Sequence, residues 1–204
     1  MLNIVTKSDN EIILTAPVLV PGEKDCDYNR GELPLTKEQV KNIASAYKDY
    51  GFVEKNHTIL KDKKTVGEPI RSWITKSPMT LKGIDGEARE YPSGTWLATL
   101  KVTDPTTIQE VKNGVYTGVS VTAVEREVAE QLKASMKESS AKLIKDFDDP
   151  VGFAISLAKK PCVKSATFCR LNKEKDNMEE KDIVSVVKSK FGLTPKLSFL
   201  IFVF

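Results

Sequence analysis

The 204-residue chain has one histidine, three cysteines and two tryptophans, little of the imidazole and thiolate that dominate zinc centres. A zinc site needs several His or Cys side chains at short, regular spacings. His57, Cys26, Cys162 and Cys169 are scattered and form no Cys-x-x-Cys pair, so neither a metal nor a cofactor is expected. The odd cysteine count and the lack of a secretory pattern in the first residues point to reduced thiols in a cytosolic protein. Cys162 follows Pro161, and Cys169 alternates with apolar neighbours. Both therefore read as buried structural cysteines rather than nucleophiles. An excess of one charge is missing too: 31 basic and 28 acidic residues leave a net charge of +3. A phosphate-tracking surface shows a concentrated excess of Lys and Arg, so nucleic acid is not an expected partner. The apolar run 197–204 is far short of the ~20 residues that cross a bilayer. No membrane association is expected either, although a β-prone, uncharged tail needs a surface to pack on.

What remains is a hydrophobic fraction of 40%, enough for one ordinary core, laid out in segments with legible ends. Residues 11–20 are rich in Ile, Leu and Val and stop at Pro21-Gly22, the pattern of a buried strand and a turn. Thr36 and Gln39 fit a capping box, Val40, Ile43, Ala44 and Tyr47 recur at helical spacing, and Gly51 is placed to end the helix. Residues 71–74 and 95–102 read as strands on either side of a polar hairpin or loop, with Trp73 and Trp96 as core or sheet-face residues. Asp104 and Pro105 open a short helix that stops at Gly114. A strand follows in which Val119, Val121 and Ala123 alternate with Ser120, Thr122 and Val124. A solvated helix over 125–145 and last strands at 153–157 and 167–171 complete the pattern. Beyond them, 172–181 is charged and reads as a linker, and 183–191 as an amphipathic helix.

Any histidine-dependent chemistry must use His57. Its best partner is Ser120, because a serine hydroxyl is a poor nucleophile at neutral pH and needs an imidazole to take its proton. Taken alone, Ser120 reads first as an ordinary residue on the polar face of a strand. No glycine follows it at two residues, which excludes the nucleophile elbow of the α/β hydrolases.

Three segments in order supply a wider context. The first joins Ala16-Pro17-Val18-Leu19-Val20-Pro21-Gly22 to Lys55-Asn56-His57 and Glu68-Pro69-Ile70-Arg71-Ser72-Trp73-Ile74. The second runs from Gly94-Thr95-Trp96-Leu97-Ala98 through a short helix to Gly114-Val115-Tyr116-Thr117-Gly118-Val119-Ser120. The third is Ala154-Ile155-Ser156-Leu157-Ala158-Lys159-Lys160-Pro161. Over about residues 11 to 171 the chain resembles the XkdF-like serine proteases of tailed phages, a branch of the prohead maturation proteases.

That resemblance implies an α+β fold, a mostly antiparallel curved or closed β-sheet with flanking helices, as in prohead proteases and herpesvirus assemblins. It implies Ser120 as nucleophile and His57 as base. The third triad member departs from the pattern: the closing motif of related proteases begins with an acid, and Ala154 stands there. Asp149, or alternatively Asp148, is then expected to orient His57, the other options being a dyad or an inactive homologue. The expected partners are a capsid precursor and a scaffold protein, with self-assembly as a homodimer or larger body inside the prohead, in the bacterial host cytoplasm. Residues 1–172 would form the protease domain, and 173–204 a linker with a helical, scaffold-like segment and the apolar tail. A non-catalytic capsid assembly protein on the same fold is the competing reading, favoured by Ala154.

Overall fold

The computed structural model describes residues 5–8, 10–25, 33–135 and 150–170. These lie in a unit spanning Met1–Arg170, and a second unit, Leu171–Phe204, contains no described residue. Cys26, Asp148, Asp149, the linker, the second half of the helix expected over 125–145 and the tail 197–204 therefore lie outside the described residues.

In chain order the elements are β1 (Val5–Ser8), β2 (Glu11–Leu19), α1 (Lys37–Tyr50), β3 (Phe52–Lys55) and α2 (Ile59–Asp62). Then come β4 (Gly67–Ile74), β5 (Met79–Gly83), β6 (Ala88–Tyr91), β7 (Trp96–Val102) and α3 (Pro105–Lys112). Last are β8 (Gly118–Glu125), α4 (Arg126–Ser135), β9 (Pro150–Ala158) and β10 (Cys169–Arg170). The strands form one sheet in the order β6-β5-β10-β2-β7-β4-β3-β9-β8, with β1 on β2. Every pairing is antiparallel except β3 with β9. A bridge from Gly118 to Thr167 brings the start of β8 back to the segment that enters β10. Since β10 pairs with β2, the sheet curls toward closure, giving the curved α+β architecture expected.

Local chemistry explains where the helices start and stop. Thr36 accepts from the Gln39 amide at 3.2 Å while Gln39 accepts from the Thr36 amide at 2.8 Å, so the capping box closes both ways. Gly51 ends α1 at φ 65°, a left-handed conformation that costs glycine little. The buried face of α1 lies against β9, close enough that a Cβ on Gly152 would stand 2.8 Å from the Ile43 carbonyl. Tyr47 packs on the fully buried Trp96, ring centres 5.3 Å apart. Asp104 caps α3, with Pro105 at its first position, as expected.

The polar stretch before β7, expected as a hairpin or a loop, is a hairpin of β5 and β6. Other details differ from expectation. The strand expected at 71–74 begins earlier, at Gly67, although Gly67 and Pro69 look like breakers. Gly67 is needed there because a Cβ would lie 2.0 Å from the Lys101 carbonyl oxygen. Cys162 is disulfide-bonded, which corrects the expectation of reduced thiols, since spacing along a chain says little about distance in space. Cys169 is free and buried, and burial pushes its thiol up to about 11, which fits an inert structural residue. Among the described residues no helix is long and apolar enough to cross a membrane.

Candidate active site

The sheet register determines which side chains meet. In the parallel pairing Glu54 of β3 lies beside Ser156 of β9, and in the antiparallel pairing Ser156 lies opposite Ser120 of β8. Residues in register share a face, so Glu54, Ser156 and Ser120 form a polar row across three strands. The next row is Phe52, Ala154 and Thr122. A β-bulge follows Thr122, a feature that often re-aims side chains beside active sites. Ser120, Thr122 and Val124 are the covered side of β8, whereas Val121 and Ala123 are half-buried. This face looks onto a second layer, where Val124 joins Ala129 and Leu132 of α4.

His57 reaches that face because the chain reverses after β3. Asn56 and His57 stand at φ 56° and 55°, left-handed conformations that Asn and His adopt more readily than most residues. Several bonds hold the turn. The Asn56 amide donates to the Leu157 carbonyl at 3.1 Å, the His57 amide to Ser156 Oγ at 2.9 Å, Asn56 Nδ2 to the Tyr116 hydroxyl at 2.9 Å and Thr58 Oγ1 to the Lys55 carbonyl at 3.1 Å. The imidazole then folds back so that Nδ1 lies 2.8 Å from Thr122 Oγ1. Ser156→Ala should therefore loosen the histidine rather than remove a reacting group. We expect a loss of about 1 kcal/mol in stability, read by thermal unfolding.

Behind Thr122 stands Glu54, with no solvent exposure. Its Oε2 accepts from the Ile59 amide at 2.6 Å, and its Oε1 accepts a short bond from Thr122 Oγ1. Burial pushes this carboxyl above the ordinary glutamate range, against the Thr122 and Ile59 hydrogen bonds and the His57 charge, which favour ionisation. Glu54 spans β9 to reach β8, about 10 Å away at ordinary strand spacing. The small, fully buried Ala154 beside Thr122 leaves room for that reach.

The structure thus brings His57 and Ser120 to one sheet face but draws no hydrogen bond between them. Ser120 is 5% exposed, and its hydroxyl has no hydrogen-bond partner among the described residues. Ser156 has no exposure and is occupied by the His57 amide, so it is not available as a nucleophile. Asp148 and Asp149 are not described, and the acid that communicates with His57 among the described residues is Glu54, through Thr122. Sequence reasoning passed over both. The available signals were an acid in a short apolar strand three residues before the lone histidine, and a hydroxyl two residues after Ser120 on the same face. No cluster of His, Cys, Asp or Glu among the described residues is suited to a metal ion.

Residues 1–130 match the sequence profile of a family described as "Putative phage serine protease XkdF". The match takes in Glu54, His57, Ser120 and Thr122 and ends before β9. No curated protein and no solved structure matches the chain.

Proposed function

We propose, from the premise that this chain belongs to the XkdF family of phage serine proteases, that it is an endopeptidase with Ser120 as nucleophile and His57 as base. The observation that supports this reading is the anchoring of His57 Nδ1 at Thr122, on the face that carries Ser120. Nε2 is left as the ring nitrogen for the Ser120 proton. Ser120 Oγ attacks the scissile carbonyl as Nε2 takes its hydrogen, and the tetrahedral oxyanion collapses as the imidazolium returns that proton to the leaving amine. Water then attacks the acyl-enzyme, with His57 as base again, releasing the acid and restoring Ser120.

The substrates in this reading are a capsid precursor and a scaffold protein, met in the bacterial cytoplasm and inside the prohead, where the enzyme is concentrated and self-associates. Intact masses of wild type, Ser120→Ala and His57→Ala, each co-expressed with the neighbouring capsid precursor, test it. Defined truncations in the wild type that both variants lack are the expected result. Full-length masses in all three, with folded and co-assembling proteins, would establish the non-catalytic assembly reading instead.

A further inference from the structure

We infer that Thr122 stands where a serine protease ordinarily places its triad acid, and that Glu54 behind it sets which nitrogen of His57 carries the proton. This rests on Ser120 and His57 acting as nucleophile and base, and Thr122 and Glu54 are positioning residues that touch no substrate. The argument is one of counting hydrogens. An ionised carboxylate only accepts, and a threonine hydroxyl has one hydrogen to give and lone pairs to receive. Glu54 Oε2 is taken by the Ile59 amide, and Oε1 receives the Thr122 hydrogen. With Glu54 ionised and that hydrogen committed to it, Thr122 can only accept from His57 Nδ1, 2.8 Å away. The neutral ring must then carry its hydrogen on Nδ1 and leave Nε2 bare, the tautomer that a general base needs.

Glu54→Gln reverses this logic at nearly constant shape. The Ile59 amide still needs an acceptor, so the Gln oxygen faces it and the amide NH2 faces Thr122. Thr122 then accepts from Gln and gives its own hydrogen to Nδ1, which moves the ring hydrogen to Nε2 and blocks the base. Thr122→Ser keeps the relay, and Thr122→Val removes the hydroxyl at almost the same volume.

Because the chain has one histidine, the ring nitrogens can be read without ambiguity by 15N NMR of the full chain labelled at histidine, with no substrate required. In the neutral ring we expect a protonated Nδ1 and bare Nε2 in wild type and Thr122→Ser, the reverse in Glu54→Gln, and a mixture in Thr122→Val. In kinetics, Glu54→Gln should lose up to roughly 10⁴-fold in kcat, the loss seen when a triad acid becomes its amide, with KM changed by less than about threefold. Thr122→Ser should keep kcat within about threefold of wild type. An unchanged tautomer in Glu54→Gln, or a wild-type tautomer and kcat in Thr122→Val, would overturn the relay. Should Glu54→Gln not fold, Thr122→Val against Thr122→Ser carries the same decision. A chain that cleaves nothing yet shows the predicted tautomers keeps the relay and loses the protease reading. Cleavage dependent on Ser120 and His57, with tautomers indifferent to residues 54 and 122, does the opposite.

Discussion

Gly118→Ala should unfold at a markedly lower temperature than wild type and lose the cleavage activity proposed for it, although it adds a single methyl group. A Cβ at position 118 would stand 2.0 Å from the Ala166 carbonyl oxygen and 2.7 Å from Pro161 Cγ. Neither neighbour is the free end of a flexible side chain. Gly118 pairs with Ala158 on one side and with Thr167 on the other. Around it the Val119 amide donates to the Ala166 carbonyl at 2.9 Å and the Phe168 amide to the Thr117 carbonyl at 3.1 Å. Relieving the clash means parting these bonds and shifting β8, which carries Ser120 two residues on. Overpacking against side chains costs about 1 to 3 kcal/mol, and backbone that cannot yield puts this case at the top of that range or above. In a unit of this size that lowers Tm by roughly 6 to 12 °C. Gly67→Ala, with its Cβ 2.0 Å from the Lys101 carbonyl oxygen, should destabilise comparably. Its folded fraction at low temperature should nonetheless retain kcat, because Gly67 lies outside the row that contains Ser120. Differential scanning calorimetry with cleavage assays at low temperature separates the two, and a Gly118→Ala protein with wild-type Tm would sink the close-packing argument.

The glycine two residues before Ser120 was visible in the sequence, but its reason was not, because Ala166 lies far along the chain. The same division runs through the site. The capping box at Thr36, the Asp104-Pro105 start and the alternation along β8 depend on neighbours in sequence, and all three appear where the chain predicts them. His57 and Ser120 are candidates the sequence itself offers, one as the lone histidine and the other through its strand. The contact of Glu54 with Thr122 is not legible there, because it depends on the parallel pairing of β3 with β9 and on the turn that lays His57 over the sheet. Neither leaves a periodic trace. The sequence points instead to Asp148 and Asp149, just before the closing strand, which lie outside the described residues. Ala154 stands in register between Phe52 and Thr122, a small side chain beside the contact of Glu54 with Thr122.

Activity and stability are expected to move in opposite directions with pH around the ionisation of Glu54. Burial holds this carboxyl above its value in the unfolded chain, so between the two values the native state binds more protons than the unfolded one. Stability therefore falls as pH rises through that window. The contribution is fully present below the unfolded value and lost above the folded one, the reverse of a carboxylate held low by a salt bridge. Glu54→Gln removes this dependence. Above the window it should melt higher than wild type, and below the window the two curves should converge. Taking the difference between the two proteins cancels the other titrating groups. Catalysis needs the opposite protonation state. A protonated Glu54 can give its hydrogen to Thr122 and free the threonine hydrogen for Nδ1, while His57 itself must be neutral to act as base. As the second of these groups gains its proton, the acid limb of kcat/KM should steepen from about tenfold toward about a hundredfold per pH unit. In Glu54→Gln the limb should stay near tenfold throughout, on its much lower plateau. A wild-type limb that never steepens, together with a Glu54→Gln difference curve flat in pH, would show that the charge of Glu54 serves neither role. If both effects appear, the buried carboxylate is a feature that weakens the fold in the conditions where it makes His57 a base.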